Sequence, residues 1–384
     1  MTPKERLYAA LEGRETDRPP VCFYEIDGYS QKPDNPDEYN IYNDPSWEPV
    51  LRLARDYSDR IVLSSIRFKN PSPPLFPAFC KRTETDNAGN LHTYCSTTLH
   101  GKTYSSHTLR ERDVYTTWVV EHPFKEPEDL AHWLRYGDTD DSEPLPDLTG
   151  VEEAEAALGD TGIVCIDIGS PLLDVASMFS MEDFLVTALQ ERELMHAALT
   201  HVARRRLKET EAIAKVVPGR LWRIYGPEYA CVPFLPPALF DEYSAAYDAP
   251  MADTIKQSGG FPRIHCHGRL KQVMPLIRKT GWTAIDPVEP PPQGDVTLRE
   301  ARDLLGEDIT IFGNLEVNAI ETADESEFSA HVRRAIEEGP NKEGRRFVLM
   351  PSSSPFGRHV SERVVKNYSI MIELCCSLRS NQCQ

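Results

Sequence analysis

The sequence predicts a (β/α)8 TIM barrel, and three observations carry that expectation. Eight short, β-branched and nearly continuous apolar runs recur along the chain, which is how buried parallel strands read. Stretches of helical period separate most of them. Their ends carry glycines, carboxylates or hydroxyls, as strand tips do where loops converge on one mouth. The chain has 384 residues, more than the roughly 250 typical of this fold, so an insertion is expected as well.

The elements follow in order. The first strand reads Arg18 to Glu25 and the second Arg60 to Ser65. Residues 81–124 then alternate polar and β-branched positions, with turn sequences at Asp86–Asn90 and His100–Lys102. They predict an antiparallel β-hairpin insertion after strand 2, placed to roof the mouth. Residues 136–150, with Asp138, Asp140 and Asp141, read as an acidic exposed connector. The third strand is Gly162 to Asp167, and residues 170–215 read as two helices, the second starting near Ser180. Arg220 to Glu228 is the fourth strand, and the segment bearing His265 and His267 is the fifth. A helix from Leu270 to Lys279 follows, with Gly281 just beyond it, and Ala284 to Glu289 is the sixth strand. Thr297 and Glu300 form a capping-box pattern that opens a helix ending at Gly306. Thr310 to Glu316 and Arg346 to Ser353 complete the strands, and Ser361 to Ser377 closes the chain as a helix. Residues 1–384 read as a single domain.

Composition narrows the partners. Forty-two Lys and Arg stand against 60 Asp and Glu, a net charge of −18, which disfavours nucleic acid and anionic membrane surfaces. No apolar run approaches the roughly 20 residues needed to span a bilayer, and no secretory signal follows Met1. The nine cysteines, Cys375, Cys376 and Cys383 among them, lack framework or CxxC spacing and read as reduced thiols of a cytoplasmic protein. Neither a dinucleotide fingerprint, a Walker loop nor a nucleophile elbow is present.

The strand tips carry the chemistry. His265 and His267 lie two residues apart at a strand end, so their imidazoles project to one face and Cys266 to the other. Two such nitrogens can hold a transition metal such as zinc, or one can be functional while the other is satisfied locally. Glu228, after Gly226-Pro227 on the adjacent strand, is the leading third ligand or general base. Asp286, and Glu289 before Pro290-Pro291-Pro292, are further candidate catalytic carboxylates. Tyr24, Asp167, Tyr225, Asn314 and Ser353 are candidate substrate contacts, although helix caps, ion pairs and core packing use the same residue types.

Several motifs together resemble the uroporphyrinogen decarboxylase superfamily. They are Met1–Arg6, Ala9–Gly13 and Asp17–Val21 at the start, then His265-x-His267-Gly268, Ala284-Ile285-Asp286-Pro287 and Gly313-Asn314-Leu315. The resemblance spans essentially the whole chain and implies a (β/α)8 barrel from a group containing porphyrinogen decarboxylases and cobalamin-linked methyltransferases. The arginine-rich segment that decarboxylases carry after the first strand is replaced by Cys22–Gly28, and their histidine after the last strand falls on Ser353. An acidic mouth suits a polycarboxylate tetrapyrrole poorly. The thiol-methylating branch holds zinc with His-x-Cys-Gly and a later cysteine. Here His265 matches the histidine, His267 replaces the first cysteine and Ser353 the second.

That resemblance implies a corrinoid-dependent methyltransferase or demethylase acting on a small O- or N-methylated substrate. Zinc on His265, His267 and Glu228 would be its Lewis acid. A corrinoid would arrive on a partner protein, because no Asp-x-His-x-x-Gly motif is present, and a homodimer is left open. The alternatives are a metal-independent decarboxylase or lyase acting on a smaller acid, and a non-catalytic corrinoid- or tetrapyrrole-binding protein.

Overall fold

The computed structural model describes residues 1–29, 35–70, 80–137 and 142–381. The expected aspartate run at 138–141 and Cys383 lie outside them. Seven strands form one parallel sheet in chain order: Arg60–Ser64, Gly162–Gly169, Leu221–Tyr225, Phe261–His265, Ala284–Asp286, Thr310–Leu315 and Phe347–Pro351. The segment Pro20–Cys22 bonds to both edges of that sheet. Leu349 N donates to Pro20 O at 2.9 Å, Cys22 N to Leu349 O at 3.0 Å, and Asp59 N to Val21 O at 2.7 Å. One segment can reach both edges only if the sheet is curled, so the fold is barrel-like.

The expected first strand, Arg18 to Glu25, is therefore reduced to a single parallel bridge between Val21 and Leu349. Pro19 and Pro20 have no N–H to donate. Tyr24, at φ 56°, then turns the backbone into the short helix Ile26–Tyr29.

Strand alternation sorts the residues into two layers. Ile61, Ile163, Cys165, Leu221, Ala284, Phe312 and Val348 form one cluster with Leu7, Ala10 and Leu11 of the helix Pro3–Glu12. That helix plugs the N-terminal end of the sheet, and it starts from a capping box in which Thr2 and Glu5 bond reciprocally. Outward neighbours such as Val164, Ile166, Trp222, Ile224, Ile264, Ile285 and Ile311 pack in a second cluster with the surrounding helices. The inner face continues upward in steps of two through Asp167, Arg223, Arg263, His265 and Asp286. Apolar below and charged above, it reserves the C-terminal end for chemistry.

Residues 170–215 contain three helices rather than two: Pro171–Ala176, Met181–Gln190 and Arg192–Val216. Ser170 and Ser180 cap the first two through their side chains. The third begins because Glu191, at φ −115° and ψ 54°, interrupts helical geometry. The helix expected from Leu270 begins only at Met274, with Leu270 and Val273 in the turn before it.

Cys80–Thr85, Leu91–Leu99, Lys102–Arg110 and Thr117–Glu121 form a separate four-stranded antiparallel sheet. It is tied to the loop leaving the last parallel strand. Val114 bridges Gly357, and Tyr115 N donates to Phe356 O at 2.7 Å. The Arg358 guanidinium adds bonds to Asp113 Oδ1 at 3.0 Å, Asn40 O at 3.3 Å and Glu38 O at 2.7 Å. Among the described residues no helix is long and apolar enough to cross a membrane.

Candidate functional site

His265 ends its strand, and in the parallel register its neighbours are Tyr225 on one side and Asp286 on the other. Its Nδ1 donates to Asp286 Oδ2 at 2.9 Å. The other carboxylate oxygen of Asp286 lies 3.0 Å from Arg263 Nε, an ion pair without hydrogen-bond alignment. Asp286 is fully buried. Burial opposes its ionisation, but Arg263, His265 and Arg223 outweigh that and hold the carboxyl down at about 2.

His267 repeats the arrangement one step nearer solvent. Its side chain is 37 % exposed against 8 % for His265, so it is the ring an incoming molecule meets first. Nδ1 donates to Glu289 Oε1 at 2.9 Å, and Gly268 N donates to Glu289 Oε2 at 2.9 Å. Burial works against a charge on His267, yet Glu289, Glu228 and Asp286 raise its pKa overall. Burial pushes Glu289 up, while His267, the Gly268 amide and His265 bring it below the usual range. The two rings meet edge to face with centroids 4.8 Å apart. Each therefore uses Nδ1 as a donor to a carboxylate, leaving Nε2 as the lone-pair nitrogen of the neutral ring.

A second network covers the two neighbouring strands on the other side of His265 from Asp286. Arg223 grips Asp167 with two bonds, Nε to Oδ1 at 2.7 Å and Nη2 to Oδ2 at 3.0 Å. Its Nη1 donates to Tyr24 Oη at 3.0 Å and lies 3.7 Å from Glu25 Oε1. Tyr24 stacks on His265 with centroids 6.1 Å apart and planes at 24°, which joins the two networks. The guanidinium also lies 5.5 Å from the Tyr225 ring centroid. Burial raises the pKa of Glu25, opposed mainly by Arg223.

The structure thus gathers His265, His267, Asp286, Glu289, Tyr24, Asp167 and Tyr225 at one end of the sheet. Glu228 stands apart in its bonding: Gly226 N donates to its Oε2 at 3.0 Å, so the carboxylate turns back on its own loop. Gly226 permits that turn with φ +110°, and a Cβ there would collide with Leu173. Ser353 donates to Ser354 O at 3.5 Å, whereas Ser352 Oγ bonds Glu316 Oε1 at 3.3 Å. Glu316, beside Glu289, is raised by burial and by that neighbour. Asn314 is half-buried near its strand end.

Sequence reasoning passed over Arg223 and Arg263. Both sit inside runs that read as apolar, Leu-Trp-Arg-Ile-Tyr and Phe-Pro-Arg-Ile-His. The available signal was parity: each arginine shares the inner face with a site residue two positions on. Both are spent on carboxylates, so neither is free to grip a carboxylate substrate.

Zinc is the metal expected from the sequence for this pair of imidazoles. A carboxylate on each Nδ1 is how zinc-binding histidines are commonly oriented, so the donor chemistry fits. Among the described residues no group of three or more His, Cys, Asp or Glu side chains is arranged to hold a metal ion. Among the described residues the two imidazoles are gathered without a third protein donor.

The uroporphyrinogen decarboxylase (URO-D) family model matches residues 115–357. More than half of the chain is covered, and the chain belongs to that family. Among solved structures, a methyltransferase from Methanosarcina mazei is similar over 100% of both chains, with a TM-score of 0.63 and 15% sequence identity. At that identity the likeness is one of fold. No curated protein sequence matches this chain.

Proposed function

We propose that this protein is a methyltransferase built on a single-domain (β/α)8 barrel over residues 1–384. In this reading a methyl group passes from a small O- or N-methylated substrate to the cobalt of a corrinoid carried by a partner protein. The carrying observation is the pair of imidazoles, each fixed through Nδ1 by its own carboxylate at the C-terminal end of the sheet. The fold likeness to a methyltransferase supports it.

His265 and His267 would hold zinc through Nε2, with Glu228 the carboxylate that would have to turn from Gly226 to complete the set. Bound there, zinc would polarise the departing heteroatom as a Lewis acid. The chain's own residues do the positioning. Asp286, anchored by Arg263, sets the plane and tautomer of His265. Glu289, anchored by the Gly268 amide, does the same for His267. Tyr24 and Tyr225 form an aromatic wall stiffened by Arg223, against which an apolar methylated group packs.

The test is metal content together with turnover. Wild type should carry about one zinc per chain, and His265→Ala and His267→Ala should each lose it. Cob(I)alamin incubated with a panel of methoxylated aromatics and methylamines should be methylated by wild type alone. Zinc-free wild type that releases carbon dioxide from small acids would instead establish the metal-independent lyase reading, for which the buried His265–Asp286 pair is the supporting observation.

A further inference from the structure

The loops beyond two neighbouring parallel strands bring two sulfurs together. Cys266 lies between the two site histidines on the opposite side of the backbone, and Cys231 follows Glu228 by three residues. Their Sγ atoms are 3.2 Å apart, and both residues are buried. Just beyond them the backbones pair: Arg269 N donates to Val232 O at 3.1 Å, giving an antiparallel bridge between Val232 and Arg269. The thiols are thus held face to face by sheet register on one side and a bridge on the other. Of the other cysteines, Cys376 is exposed, and its neighbour Cys375 precedes it in a helix that directs the two side chains apart.

We propose that Cys231 and Cys266 are a disulfide-forming pair, closed by a two-electron oxidant of the peroxide class, which locks the Glu228 loop to the histidine strand. In the first step one sulfur attacks a peroxide oxygen, the O–O bond breaks, and a sulfenic acid and water form from hydrogen peroxide. In the second the neighbouring sulfur attacks the sulfenic sulfur, the S–O bond breaks, and the S–S bond forms with loss of a second water. Two thiols are oxidised and one peroxide is reduced to two waters. Neither step uses the methyl-transfer chemistry, so the inference stands apart from that reading.

Both sulfurs are shielded from solvent, so peroxide reaches them when the loop opens locally. Cys376 is therefore oxidised first and the pair later. Full-length protein is treated with hydrogen peroxide over a time course, unfolded, alkylated and digested without reductant for mass spectrometry. The expected product joins the Cys231 and Cys266 peptides with loss of two hydrogens. It should disappear on adding a phosphine reductant, be absent in Cys231→Ser, and persist in Cys376→Ser. The linked protein should also unfold at higher temperature than the reduced form. If Cys231→Ser does not fold, the wild-type map decides alone. Recovery of both cysteines as alkylated thiols after Cys376 is fully oxidised overturns the proposal, as does sulfinic acid at either without the link.

Discussion

Asp286 faces His265 across the parallel register, accepting its Nδ1–H on one oxygen while Arg263 contacts the other at 3.0 Å. Arg263 and Asp286 are buried together at this point. Breaking such a pair by removing one partner leaves a buried charge alone. Asp286→Asn should therefore cost roughly 3–5 kcal/mol in urea unfolding, and Arg263→Met a similar amount. The double variant should lose clearly less than the sum. Additive losses would show that the two side chains are not coupled.

Glu289 holds His267 and Gly268 at once. Glu289→Gln keeps the shape but supplies only one acceptor, so His267 loses its orientation. Zinc affinity, read by chelator competition, should fall roughly 10–100-fold. Glu228→Gln run beside it separates a direct ligand from a bystander: unchanged affinity would remove Glu228 from the metal set.

Tyr24 adopts φ 56° and gives its hydroxyl to Arg223 as an acceptor. Tyr24→Phe keeps the ring over His265 and deletes one bond to a charged group, at a cost of roughly 1–3 kcal/mol. Thermal and chemical unfolding should agree on that loss, and a neutral substitution would mean Arg223 is satisfied by Asp167 alone.

Asp27 is fully buried, and burial lifts its carboxyl to about 7 despite bonds from the Phe23 amide and the Ser58 hydroxyl. Ser58 Oγ lies 2.6 Å from Ala54 O and 2.8 Å from Asp27 Oδ1. One hydroxyl proton cannot serve both acceptors, so a protonated Asp27 donating to Ser58 resolves the pair. The folded pKa lies above the unfolded value of about 3.9, and the folded chain therefore holds the proton longer. Stability falls as pH rises from about 4 to about 7. Asp27→Asn should flatten that slope, because its amide can donate to Ser58 at every pH. Parallel melting curves for variant and wild type between pH 5 and 8 would contradict the assignment.

Much of the sheet was legible because parallel strands buried on both faces leave long apolar runs, as in Gly162–Gly169. The first position was not, since Pro19 and Pro20 look like a strand edge while supplying no donors. The two histidines could be placed on one face from spacing alone. Asp286 and Glu289 were legible as candidate carboxylates but their pairing with the two rings was not, because they lie 21 and 22 residues away and only the sheet register and the loop after it bring them close. Arg223 and Arg263 were hidden by apolar neighbours, whose hydrophobic signal averages over both faces of a strand.

The anchoring of Arg358 has a practical result for anyone reshaping this protein. One guanidinium joins the Glu38 and Asn40 carbonyls to the Asp113 carboxylate, so the antiparallel sheet behaves as masonry rather than as a swinging door. Excising residues 80–121 would take away the Asp113 carboxylate that balances this cation and slacken the rim where the last parallel strand exits, altering what can enter without touching either imidazole.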